Sequence, residues 1–283
     1  MKNNSFAAFI LTHGRPGRVI TYNTLKRCGY TGAIYLVCDD EDKTLPEYQA
    51  KFENVLVFSK KEIAKTFDEG DNFGDRRSIV YARNACFELA KKIGVEYFIE
   101  LDDDYSEFQF RFDNNLKWKY KSIKNLDAIL ETLVDFHKQT PILSVAMAQG
   151  GDLMGGIEAS ELKNGIKLKR KCMNSFICSV NRPFQFVGRI NEDVNTYTLS
   201  GSRGGLFFTV MLIAINQLET QSNRGGMTEL YLDNGTYIKS FYTVMYHPSS
   251  VTIRLMGSKS GRLHHSIDWS KTVPKILREE YKK

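Results

Sequence analysis

The sequence predicts an α/β fold, with a central, mostly parallel, twisted sheet flanked by helices in a single domain. Two observations favour it. Through the first 105 residues, short runs of β-branched and aromatic residues alternate with segments of helical periodicity, which is typical of a parallel, doubly wound sheet. Hydrophobic residues make up 42% of the 283 positions and aromatic residues 12%. That composition is sufficient for a packed core.

The elements of the first part follow in order along the chain. A helix with apolar positions at helical spacing and a lysine-rich end is stopped by Gly94, because glycine favours helix C-termini. The next strand, rich in β-branched and aromatic residues, ends at Asp102. The earlier predicted elements are strands at 5–11, 33–38 and 55–58 and helices at 19–28 and 79–93.

The second part is less regular. Alternating phenylalanines at 108–112 indicate a half-buried strand. The dense apolar stretch 206–215 is expected in the core, and the segment 243–248 is interpreted as a strand that ends near His247. Further strands are predicted at 142–147, 175–180 and 184–187.

Three consecutive carboxylates, Asp102, Asp103 and Asp104, follow the central strand. Open α/β sheets bind ligands at this carboxyl edge. Alternate residues of a strand share a face, so Asp102 and Asp104 can converge while Asp103 turns away. Two hard oxygen ligands suit Mg²⁺ or Mn²⁺ that is already held by phosphates. A solvated acidic turn is the alternative.

Other polar residues that fit nucleotide binding lie at strand ends and at the start of a helix. Guanidinium groups near a helix start suit phosphates, and glycines allow close backbone approach. Turn punctuation, a solvated acidic face and a flexible hairpin are the alternatives. The candidates are Thr12, His13, Gly14, Arg15, Asp39, Arg76, Arg77, Arg83, Asp103, Gly150 and Gly151.

Glu192 and Asp193 stand beside an arginine at a predicted strand-to-helix junction. They fit either a helix cap or a catalytic base that acts opposite a metal-bound leaving group. His247 is a candidate third metal ligand, although a lone histidine at a strand end is more often structural. His264 and His265 are alternatives to it.

Composition limits the cellular setting. Five cysteines, odd in number and without CxxC spacing, favour reduced thiols in a cytoplasmic protein over disulfides or a zinc site. No stretch reaches the roughly 18 apolar residues of a membrane span. The first residues are interpreted as a core strand rather than a signal peptide. A net charge of +6 permits a polyanionic partner.

In chain order, these motifs resemble those of GT-A fold glycosyltransferases over about residues 5–250. The DxD motif corresponds to 102–104, the xED motif to 191–193, the ARN signature to 82–84 and the late histidine to His247. The resemblance implies a metal-dependent enzyme with a nucleotide-sugar donor, UDP-linked in the first instance. It also implies a nucleotide-sugar-binding half at 1–105, an acceptor-binding half at 106–250 and a basic tail or lid at 251–283.

A narrower resemblance is to the TET-associated glycosyltransferases encoded by bacteriophages. It rests on AFILTHGRPGRVITYNTLKRCGY, FDEGDNFGDRRSIVYARNACF, LDDDYSEFQFRF and SVAMAQGGD. The resemblance implies transfer, in the host cytoplasm, to hydroxymethylated pyrimidines such as hydroxymethylcytosine in double-stranded phage DNA. UDP-arabinose and UDP-glucose are the donors that it suggests.

Basic clusters interleaved with aromatic residues favour a DNA acceptor, because cations contact phosphates and rings stack on bases. Solvated loops are the alternative for each cluster. A nucleotidyltransferase, a non-catalytic DNA-binding module and a glycosyltransferase with a protein or glycan acceptor remain rival functions. The DNA-binding candidates are Lys117, Lys119, Lys121, Lys169, Arg170 and Lys171, with Lys163, Lys167 and the basic residues of 254–278 beside them.

Overall fold

A nine-stranded mixed sheet organises the protein in a computed structural model that describes residues 5–115, 117–149, 175–217, 235, 238–255 and 263–272. The strands are β1 Phe6–Leu11, β2 Ala33–Asp39, β3 Val55–Phe58, β4 Tyr97–Asp102, β5 Tyr105–Phe112, β6 Trp118–Ser122, β7 Ser144–Gln149, β8 Ser175–Ser179, β9 Phe207–Gln217, β10 Val251–Leu255 and β11 Leu263–Ile267. The helices are α1 Ile20–Arg27, α2 Leu45–Lys51, α3 Lys60–Ala64, α4 Val80–Lys92, α5 Leu126–Gln139, α6 Glu192–Ser202, α7 Ile238–Tyr246 and α8 Trp269–Thr272.

The strand order is β3-β2-β1-β4-β8-β7-β9-β5-β6, and β10 and β11 form a separate ribbon. The first four strands are parallel. Beyond them β8 is antiparallel to both β4 and β7, and β5 is antiparallel to both β9 and β6. The predicted α/β class is confirmed. Because β4 and β5 are not neighbours in the sheet, the acidic triplet between them lies where the chain leaves one part of the sheet for another.

The two faces of the sheet bury separate hydrophobic clusters. Tyr97, Ile99 and Leu101 of β4 belong to the cluster shared with α1 and α5, whereas Phe98 belongs to the cluster shared with α4. Alternation along the strand therefore places Glu100 on the face of α4. Glu100 is fully buried, and this location determines its partners.

Two predicted strands are wrong. Residues 184–187 have no regular structure, because the side chain of Asn84 replaces a strand partner. Its Oδ1 accepts from the Phe186 N–H at 2.8 Å, and its Nδ2 donates to the Phe186 carbonyl at 3.0 Å. Residues 243–246 belong to helix α7, and His247 follows that helix. Tyr242 and Tyr246, four residues apart, share the helix face that contacts the loop at 68–71.

Most other predicted elements are confirmed within a few residues. Helices α1 and α4 lie inside the predicted ranges, β5 includes the phenylalanine alternation, and β9 covers all but the first residue of the apolar stretch at 206–215. The four cysteines that the structure describes, Cys28, Cys38, Cys86 and Cys178, are buried thiols. No helix within the described ranges is both long enough and apolar enough to cross a membrane.

Candidate active site

Asp103 connects the end of β1 to the acidic triplet. It is 2% exposed, and its two oxygens engage different donors. Thr12 Oγ1 donates to Asp103 Oδ2 at 2.7 Å, while Arg15 Nη2 lies 3.2 Å from Oδ1. Tyr48 completes the arrangement, because its hydroxyl lies 2.8 Å from Thr12 Oγ1 and accepts from the Arg15 backbone N–H at 2.7 Å. As predicted, Asp103 turns away from its neighbours. Its oxygens face inward, toward the loop at 12–15.

The loop after β1 is also fixed to the end of β2. His13 Nδ1 lies 2.7 Å from Asp39 Oδ2, and Lys60 Nζ lies 3.1 Å from Asp39 Oδ1. Gly14 N–H donates to Asp42 Oδ2 at 2.7 Å. Since Asp39 and Asp42 are both buried, these two residues do not form a solvated acidic face. The candidate nucleoside-binding residues of the two loops lie together at the carboxyl edge of the sheet.

The His13–Asp39 pair predicts a pH-dependent contribution to stability. The hydrogen bond to Asp39 raises the pKa of His13 above 6.5, so the contribution is fully present below that pH and is lost as pH rises through the folded pKa. We expect the wild type to lose about 0.5 kcal/mol more unfolding free energy than His13→Gln between about pH 6 and pH 8. The effect is small because His13 is half-exposed, so solvent screens its interaction with Asp39. Urea unfolding of both proteins measures this. A pH dependence that is equal in the two proteins would contradict it.

Asp102 and Asp104 remain partly exposed on either side of Asp103. Burial, together with the negative charges of Asp102 and Asp103, raises the pKa of Asp104 to about 7. Burial also raises the pKa of Asp102, although Arg83 opposes this effect. The two predicted metal ligands thus share a local negative potential.

Arg83 is surrounded by carboxylates. It is 1% exposed, and its Nη2 donates to Asp102 Oδ1 at 3.1 Å while its Nε donates to Glu192 Oε1 at 3.0 Å. Its Nη1 lies 3.5 Å from Glu100 Oε2. Sequence reasoning placed Arg83 on the donor phosphates, but in the structure its three nitrogens face the protein's own carboxylates.

Glu192 and Asp193 open α6, and both are 6% exposed. The N-cap of the helix is Asn191, in a left-handed conformation with a φ of 59°, so neither acid is the N-cap residue itself. Asp193 Oδ1 accepts from the Val194 N–H at 2.8 Å. Burial and the charge of Asp193 raise the pKa of Glu192 to about 7. The pair lies near the DxD carboxylates, because Arg83 contacts Glu192 and Asp102 together.

The described part of the site carries an excess of negative charge. The cations are Arg15 and Arg83, and the acids are Glu100, Asp102, Asp103, Asp104, Glu192 and Asp193. Burial of so many carboxylates is costly unless protons or cations compensate them. Burial raises the pKa of Glu100 to about 8, so at neutral pH a proton compensates this acid. These residues therefore fit a bound divalent cation.

Among the described residues, no three histidine, cysteine or carboxylate side chains are arranged to hold a metal ion by themselves. The described histidines near the end of the chain are not brought into such a group with Asp102 and Asp104. His247 hydrogen-bonds through Nδ1 with Ser250 Oγ, and the rings of His264 and His265 contact each other with centroids 4.2 Å apart. Mg²⁺ and Mn²⁺ take part of their shell from water and substrate phosphates, so a pair of carboxylates suits them.

The remaining candidates lie at the surface or outside the described residues. Arg76 pairs with Glu41 at 2.6 Å and Arg77 pairs with Asp75 at 2.9 Å, and both arginines stay predictions as phosphate ligands. The lysines at 117, 119 and 121 are exposed on or beside edge strand β6. The candidates outside the described residues are Gly150, Gly151, Lys163, Lys167, Lys169, Arg170, Lys171 and residues 256–262 of the predicted basic tail or lid.

Sequence reasoning missed Glu100, Tyr48 and a role for Arg189. A charged residue inside an apolar strand is a signal that could have identified Glu100, because an unpaired buried charge is costly. Arg189 is 2% exposed and holds the loop before α4, with its Nε 2.5 Å from Asp71 Oδ2 and its Nη1 3.5 Å from Asp75 Oδ2. No local pattern indicates Tyr48.

Comparison with known proteins gives a family. The model of the TET-Associated Glycosyltransferase family matches residues 6–226. No curated protein sequence matches the chain. Among solved structures, glucosyl-3-phosphoglycerate synthase from Mycobacterium tuberculosis, in complex with Mn²⁺, UDP and phosphoglyceric acid, is similar with 11% identity and a TM-score of 0.46, over 93% of this chain and 87% of that one. S. aureus TarS 1–349 is similar with 13% identity and a TM-score of 0.44, over 85% and 65%.

Proposed function

The chain belongs to the TET-associated glycosyltransferase family and is therefore a glycosyltransferase. On this basis, we propose a donor and an acceptor for the reaction. It transfers a sugar from a nucleotide-sugar donor, UDP-linked in the first instance, to the hydroxymethyl oxygen of a modified pyrimidine in double-stranded DNA. Hydroxymethylcytosine is the first candidate base. The observation that carries this proposal is the pair of partly exposed carboxylates, Asp102 and Asp104, within a cluster of excess negative charge.

Asp102 and Asp104 would hold Mn²⁺ or Mg²⁺ together with the donor phosphates. When bound, the ion supplies charge stabilisation for the departing nucleotide. The loop at 12–15, held against Asp39, Tyr48 and Asp103, would receive the nucleoside. Since this loop is already bound to three neighbours, it is preorganised, and little ordering entropy is lost when the nucleotide binds.

Asp193, with Glu192 as the second choice, would take the proton from the acceptor hydroxyl if the reaction inverts the anomeric centre. Glu192 is engaged by Arg83 at 3.0 Å, whereas no cation within the described ranges pairs with Asp193. That difference supports Asp193 as the base. If the reaction retains the anomeric configuration, the same carboxylate would orient the sugar instead.

The edge strand β6 would contact the DNA. Lys117, Lys119 and Lys121 are exposed there, and Tyr120 between them is 48% exposed. Cations that alternate with an aromatic ring suit phosphate contact and base stacking. The modified base would have to leave the duplex stack for its hydroxymethyl oxygen to reach the sugar carbon.

Mass spectrometry of nucleosides tests the proposal. Double-stranded DNA containing hydroxymethylcytosine is incubated with the protein, Mn²⁺ and a panel of nucleotide sugars that includes UDP-glucose and UDP-arabinose. We expect one donor to add a pentose or hexose mass to the modified nucleoside, and we expect unmodified DNA to gain nothing.

Two outcomes would change the proposal. Slow release of a nucleoside diphosphate without any mass added to DNA would remove DNA as the acceptor and favour a protein or glycan. Release of pyrophosphate, with the nucleotide moiety added to the product, would favour a nucleotidyltransferase.

A further inference from the structure

We propose that Arg83 is a positioning residue that joins the two acidic motifs of the site, and that Asn84 beside it completes a clamp between α4 and the segment leading to α6. This inference rests on the proposed function, since it concerns how Asp102 and Glu192 are presented to the donor. It gives the Ala82-Arg83-Asn84 signature a different role from the nucleotide contact that family resemblance implies.

The environment of Arg83 leaves no side of its guanidinium group open to a phosphate. The three nitrogens face Asp102, Glu192 and Glu100. Its central carbon lies 5.1 Å from the ring centroid of Phe176 and 5.7 Å from that of Phe186. A phosphate ligand would instead need accessible N–H groups, and Arg83 is 1% exposed.

The clamp arises from two adjacent residues of α4. Arg83 links β4, through Asp102, to the first residue of α6, Glu192. Asn84 forms two hydrogen bonds with the backbone of Phe186, six positions before Glu192 in the chain. The two side chains therefore fix the xED segment against the strand that carries the DxD segment.

Arg83 contacts one acid of each motif and leaves its neighbour, Asp104 or Asp193, to the chemistry proposed for the site. Arg83 holds one oxygen of Asp102 and one of Glu192 at about equal distance, 3.1 Å and 3.0 Å. Asp193 is the next residue of the helix, so the contact between Arg83 and Glu192 also anchors the start of α6, which carries Asp193. Glu100 is fully buried on the face of the sheet that packs against α4, where its Oε2 lies 3.5 Å from Arg83 Nη1.

A double-mutant cycle tests the bridge. Arg83→Lys keeps the charge but loses the planar, multidentate geometry. We expect this variant and Glu192→Gln each to lower kcat about 30-fold with little change in donor KM. We expect the double variant to fall no further than about 30-fold, because contacting residues are non-additive. A loss in the double variant equal to the product of the single losses would overturn the bridge.

Nucleotide binding without metal separates a positioning residue from a phosphate ligand. In EDTA, we expect Arg83→Lys to bind UDP within about 3-fold of the wild-type affinity, and a loss above about 10-fold would overturn the proposal. Arg182→Lys is the matched control. Arg182 donates to the backbone carbonyls of Thr140 and Ile142. It follows Ser179, which pairs with Tyr97 at the start of β4, whereas the candidate active site lies at the end of β4. The substitution of Arg182 should therefore leave kcat unchanged.

Asn84→Ala provides a second test if Arg83→Lys does not fold. It removes the bonds to Phe186 without changing any charge, and we expect kcat to fall about 10-fold with unchanged UDP affinity. A variant that only loses stability and keeps its kcat would contradict the clamp. If the wild type transfers no sugar to DNA, the proposed function fails. The role of Arg83 can still be decided in that case, because the double-mutant cycle of Arg83→Lys and Glu192→Gln can be measured on the rate of donor hydrolysis and on metal-free unfolding.

Discussion

The double variant Asp102→Asn, Asp104→Asn is expected to lose metal-dependent sugar transfer by at least about 10³-fold, because it removes both carboxylates that would share the cation with the donor phosphates. Neutral amide oxygens are weaker ligands for Mg²⁺ and Mn²⁺ than carboxylates. We also expect Mn²⁺ to raise the Tm of the wild type and to leave the Tm of the variant unchanged. Steady-state kinetics and thermal unfolding at several Mn²⁺ concentrations measure both effects.

Without metal, the single variant Asp104→Asn, which keeps the ion pair between Asp102 and Arg83, should be more stable than the wild type. The folded pKa of Asp104 is raised to about 7, so ionisation of Asp104 costs stability as pH rises from its unfolded pKa through the folded value. Asparagine does not ionise. At about pH 8, we therefore expect the variant to gain about 1 kcal/mol of unfolding free energy in EDTA. Loss of activity with a gain of metal-free stability distinguishes a functional carboxylate pair from a structural one.

Asp103→Asn is the matched control, because it changes the charge of the adjacent residue. Asp103 contacts Thr12 and Arg15 rather than solvent, so this variant should lose stability and keep the response of its Tm to Mn²⁺. A double variant of Asp102 and Asp104 that retained full, metal-dependent transfer would contradict the assignment of the metal site.

The acidic triplet could be predicted from the sequence because a run of β-branched and aromatic residues that ends in acids is a local pattern. Strand alternation applies only as far as Asp102, where β4 ends, since Asp103 and Asp104 lie in the turn that follows. The inward direction of Asp103 therefore depends on tertiary contacts. Its partners, Thr12 and Arg15, lie 91 and 88 positions away in the chain, and no local pattern specifies them.

The inward direction of Arg83 was missed, although part of its signal was present. Val80, Arg83, Phe87 and Ala90 are buried positions of α4 at spacings of three or four residues, so Arg83 occupies a place in the apolar stripe of the helix. Periodicity alone indicates burial. It does not say that three carboxylates from β4 and α6 surround the side chain, since those contacts depend on tertiary packing.

Two strand predictions failed because tertiary contacts override local propensity. Residues 184–187 have the composition of a strand, but Asn84 takes the backbone groups of Phe186. Residues 243–246 contain residues that favour strands, but the helix brings Tyr242 and Tyr246 onto the loop that Arg189 also holds. In both cases the observed backbone conformation makes contacts with residues distant in sequence.

Asp193→Asn is expected to lower kcat by about 10³-fold while donor KM and the Mn²⁺-induced rise in Tm stay close to those of the wild type. An amide cannot accept the proton of the acceptor hydroxyl, whereas the proposed donor and metal sites are formed by residues at the ends of β1, β2 and β4. Because asparagine is nearly isosteric with aspartate and can still accept the hydrogen bond from the Val194 N–H, the start of α6 should be preserved.

Glu192→Gln separates the two acids of the motif. Glu192 is held by Arg83, so its loss should disturb geometry and lower kcat less than the loss of a base, by about 30-fold against about 10³-fold. If Asp193→Asn lowers kcat less than expected, the anomeric configuration of the product decides what that result means. If Asp193→Asn loses less than about 10-fold and the product retains the donor configuration, Asp193 orients the sugar. The same small loss with an inverted product would contradict Asp193 as the base and move that role to Glu192.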